Sequence, residues 1–215
     1  MDKTLIKAML EGAETPVIME IGANNGSDTV EFVQMYPEAR VLAIEPDPRS
    51  AAKLERNILG LGNCEVWRGA IGNVDGLVTL HQSSGNWPGG PKNGEPWDKS
   101  SSIKKPTGHI QLHPWCKFDL GLDVMGAKLD TFCEKAGVDK IQFVWADVQG
   151  AERDMILGGA KTFKDNVKYL YTEYSDTALY EGQPTRAEIF ELLPGYDVVT
   201  DFGGDILLFN REYQA

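Results

Sequence analysis

The sequence predicts an α/β fold built on a mostly parallel, doubly wound sheet. Short apolar runs alternate with helix-sized segments from Val17 onward, as repeated strand–helix units require. The last two apolar runs, 196–200 and 206–209, are separated by a Gly-Gly-Asp turn, which is typical of an antiparallel hairpin. Strand–helix steps that end in a hairpin indicate one reversed edge strand in an otherwise parallel sheet.

The first part of the chain is predicted to alternate strands with two helices. Pro37 and Gly60 end the helices, and Ser27 with Asp28 supplies capping oxygens at the start of the first one. The strands are predicted at 17–21, 40–45, 65–68 and 76–81, and the helices at about 27–36 and 49–59.

Regular alternation resumes after residue 128. The predicted elements are a helix at 129–136, a strand at 141–146, a helix at 150–163, a strand at 167–172 and a helix at 184–193. Between them, residues 83–118 are rich in Gly, Pro and Ser and have no sustained period. Because disordered linkers are poor in aromatic residues and this segment holds Trp87, Trp97 and Trp115, we expect an ordered substrate or lid loop inside one domain spanning 1–215.

Composition narrows the functional classes. The 215 residues carry a net charge of −11 and no basic stripe, so a nucleic-acid partner is not expected. The three cysteines fit neither a disulfide framework nor a zinc site, which favours a reducing compartment. Residues 1–10 have a short amphipathic pattern without a signal-peptide run, and nothing approaches a membrane span. A cytoplasmic protein is expected; its oligomeric state is not predicted.

A nucleoside site is predicted where the first two strands end. The first strand ends in the turn Glu20-Ile21-Gly22-Ala23-Asn24-Asn25-Gly26, and the second ends in Glu45-Pro46. An acid at this second position binds ribose hydroxyls in α/β nucleoside sites. The G-x-G-x-x-G spacing that cradles a pyrophosphate is missing, while side-chain amides can bind an amino-acid tail. A nucleoside with such a tail and no phosphate is S-adenosylmethionine, which we predict as the cofactor.

Further contacts to this cofactor are expected from two other segments. Ala70 and Ile71 follow the third strand, where a small residue leaves room for an adenine ring. Ser102, with its neighbour Ser101, is expected to approach the cofactor tail when the long loop closes. The three tryptophans of the loop either form a platform for the apolar face of a sugar or pin the loop to the domain.

The reacting centre is predicted at the ends of the fourth and fifth strands. Asp147 follows an apolar strand and precedes a helix, so it is a candidate general base, amine contact or metal ligand; the alternative is an acid that stabilises the helix N-terminus. Glu173 ends the next strand and could bind an acceptor hydroxyl or share a metal with Asp147; the alternative is an ordinary strand-end acid in solvent. His109, in the long loop, could take a hydroxyl proton or simply be solvated. A divalent metal is not predicted, because no dedicated binding loop is present.

Several segments together resemble the class I S-adenosylmethionine-dependent methyltransferases, and within them the FkbM family. The resemblance covers about Val17 to Tyr196 and is carried by Gly22–Gly26, Gly69–Gly72, and Leu129–Phe132 leading to the segment Asp147-Val148-Gln149-Gly150-Ala151-Glu152. Family members often carry glutamate where this chain has Gln149. The resemblance implies a seven-stranded sheet and O-methyl transfer to a hydroxyl of a sugar, glycolipid or natural product.

Three alternatives stay open at this stage. Methylation of nitrogen would be favoured by an Asn/Asp-Pro-Pro-Tyr strand end, which the segment at Asp147 lacks. A nicotinamide oxidoreductase needs the G-x-G-x-x-G turn and usually a Tyr-x-x-x-Lys pair. A non-catalytic cofactor-binding module is the third alternative, and acids at four strand ends argue against it.

Overall fold

The computed structural model describes Ile6, residues 9–10, 14–90 and 94–214. Most of the amphipathic stretch at 1–10 and residues 91–93 of the predicted loop therefore lie outside the described residues. The strands are β1 Val17–Ile21, β2 Arg40–Ile44, β3 Cys64–Trp67, β4 Ala70–Gly72, β5 Gly76–Gly85, β6 Cys116–Lys128, β7 Ile141–Ala146, β8 Val167–Glu173, β9 Tyr196–Asp201 and β10 Asp205–Asn210. The helices with stated bounds are α1 Ser27–Met35, α2 Pro48–Asn57, α3 His109–Leu112, α4 Leu129–Ala136, α5 Glu152–Gly158, α6 Ala160–Asp165 and α7 Arg186–Leu192.

The predicted doubly wound sheet is confirmed. Seven strands lie in the order β3-β2-β1-β7-β8-β10-β9, and only the C-terminal hairpin introduces antiparallel pairs. In the parallel part, Ile21 pairs with both Ile44 and Ala146, and Ala146 pairs with Thr172. The carboxyl ends of four strands therefore lie level along one edge. Because the chain order reverses at β1, a crevice opens there, where doubly wound sheets bind ligands.

Both faces of the sheet are covered, which explains why its parallel strands are almost wholly apolar. Met19 and Ile21 face one side and pack with Leu129 and Phe163, while Ile18 faces the other side and packs with Phe32. Successive residues of a strand point to opposite faces, so one short strand contributes to two cores.

A second, three-stranded sheet in the order β4-β6-β5 was not predicted. β5 runs four residues beyond the predicted 81 and pairs with β6, from Gly76↔Gly126 to Gly85↔Cys116. The prediction of a loop over the whole of 83–118 is therefore wrong at both ends, because 83–85 and 116–118 are strand. Alternation of Phe118, Leu120, Leu122 and Val124 with polar residues or glycine was a signal for this strand.

Smaller differences concern helix ends. The helix predicted at 150–163 is two helices, α5 and α6, with Gly159 between them. The last helix begins after Thr185, whose side chain accepts from the Glu188 backbone N–H in a capping box. Within the described part of the chain, no helix combines the length and apolarity that crossing a bilayer requires.

Candidate active site

A cavity lies at the carboxyl edge of the sheet, where β1, β2 and β7 end. The predicted cofactor residues that line it are Glu20, Gly22, Ala23, Asn24, Asn25, Glu45, Pro46, Ala70, Ile71 and Ser102. Asp147 lines the same cavity, and so do residues 98–99 and 101–103 of the long loop. Residues predicted from separate segments are thus brought together by the alignment of the strand ends.

The glycine turn is held against both neighbouring strands. The backbone N–H groups of Gly22 and Ala23 both donate to the carbonyl oxygen of Ile44, at 2.9 and 3.0 Å. Gly22 has a φ of +89°, and a Cβ there would lie 1.8 Å from the carbonyl oxygen of Asp147. Only glycine fits this backbone conformation and this close approach.

Gly26 was predicted to bind the cofactor, but it lies outside the cavity lining. It precedes α1 with a φ of +77°, and a Cβ there would lie 2.4 Å from Leu54 Cδ1 on α2. A residue without a side chain is therefore needed here because α1 and α2 pack closely together.

Glu45 is buried at the end of β2 and is oriented by backbone groups. Its two carboxylate oxygens accept from the N–H groups of Asn24 and Asp47, each at 2.7 Å. Burial raises the pKa of Glu45 to about 8, against the lowering effect of those two hydrogen bonds. The carboxylate is fixed at the cavity wall, as a diol-binding acid must be.

Glu20 lies on the other side of the glycine turn and accepts a hydrogen bond from the Thr29 hydroxyl. Burial raises its pKa to about 8. The carboxylates in the lining are those of Glu20, Asp28, Glu45, Asp98 and Asp147, and the one basic side chain among the described lining residues is Lys99. The cavity thus suits a ligand that carries positive charge.

The asparagine side chains form hydrogen bonds within the protein. Asn24 Nδ2 donates to Ser50 Oγ at 3.2 Å and to the carbonyl oxygen of Asp98 at 3.0 Å. The Asn25 side chain accepts from the Ser27 N–H at 3.2 Å. Asn24 therefore ties the glycine turn to α2 and to the long loop, and it has a φ of +46°.

Contacts of its described residues attach the long loop to the domain at the cavity. Lys53 Nζ lies 2.8 Å from Asp98 Oδ2, and Ser101 Oγ donates to Asp47 Oδ2 at 2.9 Å. Asp47 is fully buried and also accepts from Arg49 Nη2 at 2.7 Å. The pKa of Asp47 is lowered because the hydrogen bonds from Arg49 and Ser101 outweigh its burial. These contacts place the loop backbone at the cavity wall.

Ser102 completes the attachment of the loop. Its hydroxyl donates to the carbonyl oxygen of Gln149 at 2.7 Å, and its backbone pairs with His81. The loop is thereby joined to the segment that carries Asp147.

Asp147 and Glu173 form an acid pair at the ends of β7 and β8. Gln149 Nε2 donates to Asp147 Oδ1 at 2.6 Å and to Glu173 Oε2 at 3.4 Å, so the two carboxyl groups lie close together, and such a pair favours retaining one proton. Burial and the charge of Asp147 raise the pKa of Glu173 to about 9, so the proton resides on Glu173 at neutral pH. The pKa of Asp147 is also raised, by burial, while the hydrogen bond from Gln149 lowers it. Asp147 is the member that faces the cavity.

His109 is not brought to the cavity. It is only 5% exposed and packs against His113, Phe118 and Tyr180, with ring centroids 4.9, 5.3 and 5.5 Å away. Burial lowers the pKa of His109 to about 4. Its placement gives no support to the predicted role as a base.

The loop tryptophans continue this aromatic cluster. Trp97 lies 5.9 Å from Trp87 and 5.3 Å from Trp115, and Trp115 lies 5.9 Å from His113. These contacts favour the interpretation that the tryptophans pin the loop, although Trp87 is 52% exposed.

Sequence reasoning missed several lining residues, namely Leu80, Asp98, Lys99, Ile103, Trp145 and Ala151. Asp98, Lys99 and Ile103 reach the cavity only because the loop docks there, and the sequence carried no local signal for that docking. In the described part of the chain, no group of three or more His, Cys, Asp or Glu side chains could hold a metal ion.

Comparison with known proteins gives relatives of this chain. It is 39% identical over 211 residues to the 2-O-methyltransferase NoeI of Sinorhizobium fredii (strain NBRC 101917 / NGR234), covering 96% of this chain and 84% of that protein. Among solved structures, the fibrillarin pre-rRNA processing protein of Methanococcus jannaschii has 14% identity and a TM-score of 0.50, covering 94% of this chain and 68% of that chain. The N-terminal domain of EvdMO1 has 12% identity and a TM-score of 0.50, covering 97% of this chain and 78% of that chain. Identities this low show the fold alone.

The family model of the methyltransferase FkbM domain matches residues 20–203. This range holds the glycine turn, the acid pair and the loop between them. The prediction of a methyltransferase that uses S-adenosylmethionine is confirmed, and the oxidoreductase alternative is excluded. The chain belongs to the FkbM methyltransferase family.

Proposed function

We propose that this enzyme transfers the methyl group of S-adenosylmethionine to a hydroxyl of a sugar, or of a glycolipid or natural product that carries one. The observation that carries the proposal is the acid pair at the cavity: Asp147 lines the ligand space, and Glu173 lies beside it against the same Gln149 amide. A hydroxyl nucleophile gains from a base of this kind, whereas a neutral amine attacks without one. The name of the relative NoeI, a 2-O-methyltransferase, supports the same reaction.

The cavity fits the cofactor through its chemistry. The sulfonium and the α-ammonium group of S-adenosylmethionine are positive, and five acidic side chains and one lysine line the described cavity. Glu20 and Glu45, whose pKa values are raised to about 8, ionise more readily once a cation lies beside them. Glu45 is placed to accept hydrogen bonds from the ribose hydroxyls, and the buried Ala70 and Ile71 provide an apolar wall for the adenine. We propose Glu20, Asp28 and the backbone of the glycine turn as the surroundings of the amino-acid tail.

The bound cofactor supplies an activated methyl group on a positively charged sulfur. The protein's contribution is then to orient the acceptor hydroxyl in line with that group and to receive its proton at a carboxylate oxygen of Asp147. One C–O bond forms, one C–S bond breaks with its electron pair left on sulfur, and the proton ends on Asp147. Positioning contributes on the order of 7–11 kcal/mol to such a step when the geometry is good.

The long loop is proposed as the part that selects the acceptor. It contributes residues 98–99 and 101–103 to the cavity and is held in place at Asp47, Lys53 and Gln149. The loop residues that line the cavity lie at the inner edge of the loop, whereas its tryptophans pack among themselves.

A methyl-transfer screen tests the function. Labelled S-adenosylmethionine should yield methyl ethers from members of a panel of sugars, glycolipids and hydroxylated natural products, and not methylamines from a parallel amine panel. Methylation of nitrogen alone would contradict the proposal.

The role of Asp147 is tested by Asp147→Asn. The asparagine keeps the oxygen that accepts from Gln149 Nε2 at 2.6 Å, so folding should survive, and turnover should fall at least about tenfold because the base is lost. Asp119→Asn is the matched control, because this substitution removes the same charge from an exposed site on β6. Equal turnover in the two variants would remove Asp147 from the chemistry.

A further inference from the structure

Gln149 stands at the centre of the contacts around the acid pair. Its Nε2 donates to Asp147 Oδ1 at 2.6 Å and to Glu173 Oε2 at 3.4 Å. Its Oε1 lies 3.0 Å from the Tyr180 hydroxyl, and its backbone oxygen accepts from Ser102. One side chain thus touches both members of the acid pair and the element behind them.

The backbone at Gln149 is also unusual. Its φ is +51°, and among the described residues only Asn24 shares a positive φ without being glycine. A left-handed conformation costs a non-glycine residue roughly 1–2 kcal/mol. Such a conformation persists when surrounding contacts hold it, and here it brings the amide onto Asp147.

The hydrogens around Gln149 can be counted. The Tyr180 hydroxyl has one hydrogen, yet it lies within hydrogen-bond distance of two oxygens, Ser100 O at 2.9 Å and Gln149 Oε1 at 3.0 Å. While Asp147 is ionised, the amide nitrogen must face it and Tyr180 shares its hydrogen between the two oxygens. Once Asp147 is protonated, the amide can turn over. Its oxygen then accepts from Asp147, its nitrogen donates to Tyr180, and Tyr180 donates to Ser100 alone.

We propose that Gln149 is a positioning residue: its amide holds Asp147 as the ionised member of the acid pair and turns over to accept from Asp147 once that carboxyl has taken a proton. This inference rests on the proposed function, since it concerns the same proton. A neutral amide can serve both states because it carries a donor and an acceptor. A glutamate at 149 would bring a third acid and, when ionised, no donor.

The charged surroundings are the reason why a donor at position 149 matters in this chain. The titratable groups that act on the pair include Glu20, Glu45, Glu152, Tyr171, Tyr180 and Asp205, all of which are acids. Each of these acids, when ionised, favours protonation of Asp147. The Gln149 donor, with the proton held by Glu173, opposes that tendency.

Titration of the carboxyl carbons by ¹³C NMR tests the inference without any turnover. Gln149→Glu should raise the apparent pKa of the Asp147–Glu173 pair by about one unit or more, because a nearby like charge shifts a pKa by this order. Gln149→Leu should raise it by less, because only the hydrogen bond is lost. Gln111→Glu, which adds the same charge at an exposed site on α3, should leave the titration unchanged.

Activity supplies the second readout. The acidic limb of kcat/KM should move to higher pH in step with the NMR titration, while the KM for S-adenosylmethionine stays within about twofold. If Gln149 merely holds the loop, both Gln149 variants will titrate like the wild type, and this result would overturn the inference. If Gln149→Glu does not fold, the titration of Gln149→Leu still decides between the two outcomes. A shifted titration with an unshifted activity profile would refute Asp147 as the base and leave the amide contact standing.

Discussion

Replacing Glu45 by glutamine should remove most of the contribution that the ribose hydroxyls make to cofactor binding. Glu45 is oriented by two backbone N–H groups at 2.7 Å and faces the cavity. Above its pKa of about 8 the Glu45 carboxylate is charged, and a hydrogen bond to a charged partner contributes roughly 1.5–3 kcal/mol. Since about 1.4 kcal/mol corresponds to a tenfold change in affinity, the dissociation constant for S-adenosylhomocysteine should rise roughly 10- to 150-fold.

The same substitution should also weaken the fold. An amide has one accepting oxygen, so either the Asn24 or the Asp47 N–H loses its acceptor and meets an NH₂ group instead. A buried donor left unpaired costs about 1–3 kcal/mol, which urea unfolding without ligand measures separately. Glu38→Gln is the control, because this substitution removes the same charge from an exposed site.

Calorimetry with two ligands isolates the contact. Wild type and Glu45→Gln are each titrated with S-adenosylhomocysteine and with its 2′,3′-dideoxy analogue, which lacks the ribose diol. The wild type should lose most of its affinity for the analogue, and the variant should bind both ligands almost equally. If removing the diol costs the variant as much as it costs the wild type, Glu45 does not bind the ribose and the cofactor placement fails.

Two further predictions concern the same edge of the sheet. Gly22→Ala should lower the free energy of unfolding by at least about 1–2 kcal/mol and abolish S-adenosylhomocysteine binding. The reason is that a Cβ at Gly22, where φ is +89°, would lie 1.8 Å from the carbonyl oxygen of Asp147. Gly62→Ala is the control and should be nearly neutral in urea unfolding, because a Cβ there would meet no atom within 4 Å. The folded-state pKa of Glu20 and of Glu45 is raised from 4.5 to about 8, so the stabilisation is complete below 4.5 and is lost as pH rises through 8. The unfolding temperature of the unliganded protein should therefore fall over this range, and less so in Glu20→Gln; a rise would contradict the buried placement of these acids.

Local patterns were sufficient for most of the parallel sheet. The strands at 17–21 and 141–146 and the helix at 129–136 have the predicted bounds, because each is a short apolar or amphipathic run closed by a glycine or a polar residue. β6 was missed although its residues alternate, because the glycine- and proline-rich segment before it drew the predicted loop too far. Its partner β5 lies more than thirty residues away in sequence, and the pairing has no local signal.

The candidate site divides in the same way. Glycine spacing and the acids at strand ends predicted the cofactor, and the alignment of parallel strands made their meeting at one edge a consequence of the fold class. Gly26 and His109 could not be assigned from their residue types. A glycine serves a tight turn and a close helix contact equally well, and a histidine in a loop becomes buried only when the loop packs.

The sequence by itself determined the sheet, the family and the donor, because these depend on periodicity and on short motifs that act locally. Tertiary structure alone decided that Gln149 contacts both Asp147 and Glu173, that Tyr180 contacts Gln149, and that residues 98–99 and 101–103 line the cavity. The physical reason is distance along the chain: the hydrogen bonds from Gln149 to Glu173 and from Ser102 to Gln149 join residues 24 and 47 positions apart. Only packing brings such groups within hydrogen-bonding distance, and that proximity shifts the pKa values of the carboxyl groups.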